Sequence, residues 1–495
     1  MDASLPGDEL VLVVGALLAC GVLSVGLAQR LRAPSLLVFL AIGMAVGSDG
    51  LGWIEIGFDD LRMIQVAGTA ALVLILYEGG LSTPLGAFRR VAAPGLVLAT
   101  VGVVVTASVI AITAYYLLDQ DRSTAMLIGA VVASTDAAAV FSAMRGAPLP
   151  SRVRQLLQVE SGINDPMAVL LTIGALEMWR ASPSVADWLV FGAVQLGGGA
   201  VVGLLIGMAG ARLLNRIGLA SASAYPVFAL AVAGVTYGSA TAIGASGFLA
   251  VYVAGLAIGS QVPRHRRLIW SFHDGLSSVS EIGLFLLLGL LVFPSEVLAR
   301  AGWGLLVAAV LIFVARPLAV ALCLPWFRWS AKETGIVAWA GLRGAVPIVL
   351  ATFPLSAGHP EGVLIFELVF FVVIVSAAAQ GLTVGPLARR LGLHAERSPW
   401  DAMVEVVPLD QVHGELVEVE LDPTSVAVGQ SLAELSVPGQ ARIAAIFRDD
   451  QIVIPSGATS LQGGDRMLAI MVEDHLEELA AWAGPAVTPG EELPG

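Results

Sequence analysis

Residues 160–166 read Glu160-Ser161-Gly162-Ile163-Asn164-Asp165-Pro166, two carboxylates inside an apolar run spanning approximately 155–179. On a helix, Ser161 and Asp165 are i and i+4 and share a face, while Glu160 and Asn164 share the adjacent one. Pro166 has no N–H, which frees the carbonyl of Gly162 one turn earlier. A carboxylate, a hydroxyl, an amide oxygen and a free carbonyl can therefore converge within one turn. Oxygen-rich clusters of this kind suit a hard alkali cation rather than a soft transition metal.

The rest of the chain places that cluster in a membrane. Of 495 residues, 57% are apolar and 13% charged, against about half and about a quarter in soluble globular proteins. Too little polar surface remains for a water-facing fold, which excludes a soluble enzyme, a disordered chain and a fibrous one. Hydrophobic runs recur at approximately 9–28, 34–51, 62–81, 91–118, 123–144, 155–179, 187–213, 223–239, 241–260, 270–293, 299–324, 333–355 and 362–387. Each can cross a hydrocarbon core of about 30 Å, so the expected fold is an all-α polytopic membrane protein of about thirteen transmembrane helices. The least defined boundary lies at Tyr237–Gly244. The first run follows Asp2, Asp8 and Glu9 with no basic segment, which predicts a retained helix rather than a cleaved signal. Cys20 and Cys323 lie in apolar runs and define no disulfide framework or metal spacing.

Basic residues test the topology. Alternate connections hold Arg30 and Arg32, Arg89 and Arg90, Arg145, Arg152 and Arg154, Arg212 and Arg216, Arg264, Arg266 and Arg267, Arg328 and Lys332, and Arg389, Arg390 and Arg397. Those 17 face only four on the opposite side: Arg62, Arg122, Arg180 and Arg300. The positive-inside rule then places the N-terminus outside and the C-terminal tail in the cytoplasm.

Seven ionisable residues sit at membrane depth: Glu78, Asp136, Glu160, Asp165, Arg316, Arg343 and Glu367. Each costs at least ~2.5–3.5 kcal/mol near a helix centre, so each needs a partner or a water-lined cavity. The fifth run contains Ala133-Ser134-Thr135-Asp136-Ala137-Ala138-Ala139-Val140, whose short polar side chains favour local unwinding. The twelfth contains Gly341-Leu342-Arg343-Gly344-Ala345-Val346-Pro347. The interruptions lie seven helices apart, as expected if helices 1–6 and 8–13 form two inverted repeats with crossed broken helices. Paired interruptions of this kind point to a transport site.

STDAAAVF (134–141), ESGINDP (160–166), LYEGGL (76–81) and GLRGAVP (341–347) together resemble the cation:proton antiporter-1 family. The resemblance spans most of the membrane body. It implies thirteen helices, a homodimer, and exchange of Na⁺ or K⁺ for protons by an elevator-like movement, without an enzymatic reaction or a cofactor. It further implies that Asp165 is the shared cation and proton carboxylate, with Asn164 its neighbour. K⁺ or Na⁺ would bind at Asp165, Ser161 and Thr135. Thr135, Asp136 and Ser161 would frame the site at the crossed breaks, and Glu78 would lie on its approach or among its ligands. Glu160 and Arg343 would form a structural ion pair, while Arg316 and Glu367 receive no role. A buried carboxylate is costly to leave bare, so proton and cation compete for it. One carboxylate beside an uncharged Asn suggests one proton per cation.

The tail differs from the body. From Pro399 onward there are 17 acidic and 3 basic residues, against 22 and 23 before it. Such a tail is repelled by nucleic acid and anionic lipid surfaces. The expected organisation is a transmembrane domain over 1–391, a linker over 392–414, a small α+β domain over 415–483 and a disordered 484–495. Strands are expected at Glu415–Leu421, Arg442–Arg448, Gln451–Ile454 and Arg466–Val472. A short helix capped by Ser431, a tight Asp449-Asp450 turn and a helix from about Asp474 complete the reading. GQSLAELSVPGQARIAAIFRDDQIVIPSGATSLQGGDRMLAI (429–470) resembles the C-terminal subdomain of regulator-of-potassium-conductance proteins. That resemblance implies a dimerising module that senses a small ligand, possible regulators including nucleotides. With it, the whole chain is similar to the bacterial cell-volume-regulation type of potassium/proton antiporter, with a Na⁺/H⁺ antiporter as the alternative. A ligand-gated cation channel would need a carbonyl-presenting filter such as TVGYG, and an intramembrane hydrolase Gly-x-Ser-x-Gly or His-Glu-x-x-His; none of these occurs.

Overall fold

The computed structural model describes residues 8–31, 34–54, 61–83, 85–136, 139–140, 144, 149–181, 184–219, 221–262, 265–393, 404–408, 415–438, 441–448, 451–471 and 476–484. The chain divides after residue 394 into two compact units. The first is helical: α1 Asp8–Leu31, α2 Ser35–Val46, α3 Leu61–Ser82, α4 Leu85–Val97, α5 Val103–Leu117, α6 Arg122–Val132, α7 Ser151–Arg180, α8 Val185–Ala193, α9 Gly199–Arg216, α10 Ala224–Ala242, α11 Gly247–Gln261, α12 Arg266–Leu290, α13 Pro294–Ala299, α14 Ala301–Val310, α15 Arg316–Cys323, α16 Ala331–Trp339, α17 Ala345–Ser356 and α18 Gly362–Leu391. Single π-helical turns join α4 to α5, α8 to α9 and α14 to α15. Among the described residues, five helical segments are long and apolar enough to cross a membrane: Leu61–Ser82, Val91–Leu117, Ala186–Arg216, Ala301–Phe327 and Gly362–Leu391.

Local chemistry sets the helix ends. Asp121 caps α6 by accepting from the backbone of Ser123 at 2.9 Å and Thr124 at 3.3 Å. Ser184 with Asp187, and Ser330 with Glu333, form capping boxes at α8 and α16, which satisfies N–H groups that a helix start leaves unpaired. The turn at the least defined boundary is supplied by Gly244, whose φ of +72° a side chain would resist, and by Ser246, which caps α11.

Both expected interruptions are present. Ser134 to Asp136 are non-helical after α6, and Gly341 to Gly344 are non-helical between α16 and α17. The breaks meet: the Asp136 amide donates to the Leu342 carbonyl at 2.8 Å. A Cβ on Gly344 would lie 1.8 Å from Asp136 Oδ2, so only glycine permits this approach. Ala137 and Ala138 lie outside the described residues. By contrast, α7 runs unbroken through Pro166.

The second unit is a five-stranded antiparallel sheet in the order β1-β2-β5-β3-β4. Its strands are β1 Val404–Pro408, β2 Glu415–Glu420, β3 Arg442–Arg448, β4 Gln451–Val453 and β5 Arg466–Met471, followed by α19 Leu476–Ala483. Val419, Ile446, Met467 and Leu479 are buried in its core. Two expectations are corrected here. Val404–Pro408 lies in the expected linker but pairs with β2 from Glu415↔Pro408 to Val419↔Val404. The helix expected after Gly429 does not form, because its backbone is committed elsewhere: Leu432 N donates to Thr459 O at 3.0 Å and Ala433 N to Gly457 O at 2.8 Å. The Asp449-Asp450 turn and residues 485–495 fall outside the described residues.

Candidate functional site

Asp165 lies halfway along α7, buried, and accepts a hydrogen bond from the Ser134 hydroxyl at the first break. Ser134 is therefore a contact that sequence reasoning missed, although its motif was quoted. The break, rather than any helical spacing, turns this hydroxyl toward α7. Ser161 Oγ donates to the Thr135 carbonyl at 3.0 Å. Asn164 Nδ2 donates to Thr135 Oγ1, which leaves the fully buried Asn164 Oδ1 without a hydrogen-bond partner among the described residues. Asp136 sits within electrostatic range of Asp165, and its Oδ1 accepts from the Ala139 amide at 3.1 Å.

A cavity of about 400 Å³ opens onto this cluster. Asp165, Asp136, Ser134, Ser161 and Glu78 line it. Five polar groups from α3, α7 and the first break thus share one cavity, although their positions span nearly ninety residues. Thr135 and Asn164 are not among its walls; they pair with each other beside it and hold α7 against the break. Asp274 and Glu281 on α12 also line the cavity, and Asp274 interacts electrostatically with Glu78. Sequence reasoning passed over both: Asp274 sits near the start of the 270–293 run and Glu281 at its middle, and hydropathy alone does not single either out. Tyr252 of α11 closes one wall. A Cβ on Gly162 would lie 2.3 Å from its ring, so the glycine gives the phenol its place over α7.

The expected Glu160–Arg343 ion pair is corrected. Glu160 pairs with Arg316, whose NH2 donates to Oε2 at 2.9 Å and to the Val337 carbonyl at 3.2 Å, while NH1 engages Oε1. Arg316 reaches Glu160 from α15 because Gly341 leaves room, a Cβ there falling 2.7 Å from Arg316 Nε. Arg343 is fully buried beside the pair, and its three guanidinium nitrogens find no hydrogen-bond partner among the described residues. Its backbone N donates to Ser376 Oγ at 3.3 Å, which anchors the second break to α18. Glu367 pairs with Arg300 at 2.8 Å, away from the cavity. A bidentate carboxylate–guanidinium pair supplies geometric definition, and here it braces α7 against α15 next to the breaks.

A buried carboxylate with hydroxyl and amide neighbours on a water-accessible cavity can exchange a proton for a dehydrated monovalent cation. Comparisons with known proteins bear on that chemistry. Residues 15–390 match the transmembrane sodium/hydrogen exchanger family, and residues 416–484 match the TrkA-C domain. The chain is 40% identical over 476 residues to the K(+)/H(+) antiporter NhaP2 of Shewanella sp. (strain ANA-3), covering 94% of this chain and 82% of that protein. It is 40% identical over 450 residues to the K(+)/H(+) antiporter NhaP of Alkalimonas amylolytica, covering 89% and 77%. Among solved structures, the sodium proton antiporter MjNhaP1 from Methanocaldococcus jannaschii at pH 8 superposes with a TM-score of 0.68 at 26% identity, covering 77% of this chain and 98% of that one.

Proposed function

This chain belongs to the sodium/hydrogen exchanger family and is a multi-pass monovalent cation/proton antiporter with a TrkA-C domain; on that premise we propose that it exchanges K⁺ for H⁺, one for one, at Asp165. The observation that carries the proposal is the buried Asp165 carboxylate, met by the Ser134 hydroxyl at a helix break and open to a cavity of about 400 Å³. Ser134 and Ser161 lie beside it, Asp136 frames the crossing, and Glu78 stands on the approach. Thr135 and Asn164 hold the frame beside the cavity. Because an uncompensated charge is expensive to move through a membrane, the empty anionic carrier crosses slowly, and exchange becomes obligatory. Asn164 adds no second titrating group, which favours an electroneutral cycle.

The K⁺ assignment draws on the names of the Shewanella and Alkalimonas relatives and on the TrkA-C domain. The second reading, Na⁺/H⁺ exchange, draws on the name of the Na(+)/H(+) antiporter NhaH of Halobacillus dabanensis, 28% identical over 404 residues. In this proposal the exchanger occupies 1–391 as two inverted repeats and works as a homodimer in a bacterial inner membrane. Its N-terminus lies outside, and a regulatory domain whose sheet starts at Val404 lies in the cytoplasm. That domain senses a small molecule, a nucleotide being the class its resemblance suggests.

Dequenching of a pH-sensitive dye in everted vesicles tests the proposal, with K⁺ and Na⁺ added separately and Asp165→Asn as the control. Dequenching by K⁺ that disappears in the variant is the expected result. A response to Na⁺ alone overturns the K⁺ assignment. Full activity in Asp165→Asn overturns the site.

A further inference from the structure

On the side of the membrane poor in basic residues, Arg300 is engaged by Glu367 at 2.8 Å. Arg62 and Arg180 have no carboxylate partner among the described residues, yet both line one cavity of about 1040 Å³. Arg62 stands in the first turn of α3, and Arg180 is the last residue of α7. Below the two guanidinia the walls are mostly apolar, Gln65, Thr69 and Ser356 being polar exceptions: Val66, Ala70, Val73 and Leu74 descend α3, faced by Leu176 on α7 and Leu230 on α10. The helical spacing puts Val66, Ala70, Val73 and Leu74 on one stripe beneath Arg62. Val66 is 66% exposed, so the upper end of the stripe opens outward into the surroundings, while Val73 further down packs against the protein core.

We propose that this cavity is a binding site for an anionic phospholipid, its phosphate held between Arg62 and Arg180 and one acyl chain laid along Val66, Val73 and Leu74. Charge and shape point the same way. Guanidinium presents a fork of donors that matches phosphate oxygens, and the two arginines stand over a mostly apolar path, as the headgroup and acyl chain of one lipid require. The volume, about 1040 Å³, lies just above the range typical of small-molecule sites, about 300–1,000 Å³, enough for more than a lone anion. A phosphate shared by the two arginines would also clamp α3, which carries Glu78, to α7, which carries Asp165. Lipid occupancy stands independently of which ion the protein transports.

Native mass spectrometry of the detergent-purified full chain tests this, with phosphatidylglycerol and phosphatidylcholine titrated separately. Wild type should retain phosphatidylglycerol at least tenfold more tightly than phosphatidylcholine. Arg62→Gln/Arg180→Gln should lose one bound phosphatidylglycerol per chain, and Arg62→Lys/Arg180→Lys should keep most of it. Equal retention of both lipids by wild type, or undiminished phosphatidylglycerol in the Gln variant, overturns the proposal. Displacement of the lipid by millimolar inorganic phosphate overturns it as well, since the site then reads a soluble anion. Should the Gln variant fail to fold, Ala70→Phe, which obstructs the acyl path and keeps both arginines, must lower phosphatidylglycerol retention at least threefold; unchanged retention sinks the idea.

Discussion

Glu160 is held by Arg316 from α15, at 2.9 Å between NH2 and Oε2, with NH1 on the second oxygen. Arg343, only two turns of chain beyond Val337, feels both charges but bonds to neither. The pair is buried on both sides, Glu160 at 1% and Arg316 at 3% exposure. The two arginines are therefore not equivalent in what their removal leaves behind.

Arg316→Met strands Glu160 as an unpaired buried charge, which costs about 3–5 kcal/mol. The melting temperature of the detergent-purified protein should fall steeply. Glu160→Gln/Arg316→Met should recover most of that loss, because both charges leave together. Arg343→Met removes a charge that has no bonded partner and should leave the melting temperature unchanged or higher. A larger loss in Arg343→Met than in Arg316→Met would reverse the assignment of the pair.

Ser134→Ala deletes the hydroxyl that donates to Asp165. A hydrogen bond to a charged group contributes about 1.5–3 kcal/mol, and 1.4 kcal/mol is tenfold in an equilibrium constant. The half-saturating cation concentration for dye dequenching should rise about tenfold or more, with the amount of protein in the vesicles unchanged. An unmoved half-saturation value would remove Ser134 from the ion site.

Gly344→Ala forces a methyl to 1.8 Å from Asp136 Oδ2 and 2.7 Å from its Cβ. The aspartate is short, and its other oxygen is held by the Ala139 amide, so the crossing itself must open. Transport should drop at least tenfold, on the order of 1.4 kcal/mol. Gly275→Ala on α12 meets nothing within 4 Å and serves as the matched control with normal transport. Normal transport in Gly344→Ala would mean that the breaks need not touch.

His359, in the connection between α17 and α18, takes the Glu361 amide on Nδ1 at 3.2 Å. Burial pulls its proton affinity below the ordinary value of 6.5, and Asp121 and Glu361 oppose this only in part. A histidine depressed in the folded state contributes stability that is present above its unfolded value and lost as pH falls through the folded one. Thermal stability should thus decline on acidification below about pH 6.5. His359→Asn, which keeps an acceptor for the Glu361 amide but cannot take up the proton, should decline less over the same interval. Parallel pH profiles for the two proteins would exclude His359 as a contributor.

The sequence by itself determined that this chain lives in a membrane, because a charged fraction of 13% cannot clothe a water-facing surface, whatever the packing. It also determined where the helices break. Ser134, Thr135 and Asp136 compete locally with the backbone for hydrogen bonds, while Gly341 and Gly344 remove the side chains that would keep two segments apart. The tail strands from Glu415, Arg442 and Arg466 were legible for the same reason, since alternation is a local property. Partner choice was not. Which arginine reaches Glu160 depends on how α15 leans across α7, and room at Gly341 decides it at a sequence distance of more than 150 residues. The commitment of Leu432 and Ala433 to the 457–459 segment is likewise a long-range contact that overrides a sound capping signal. So is the arrival of Asp274 and Glu281 on the wall of the same cavity as Asp165. Local chemistry fixes what each segment can become; the pairing of distant side chains waits on close packing, where an ångström of clearance selects one partner over another.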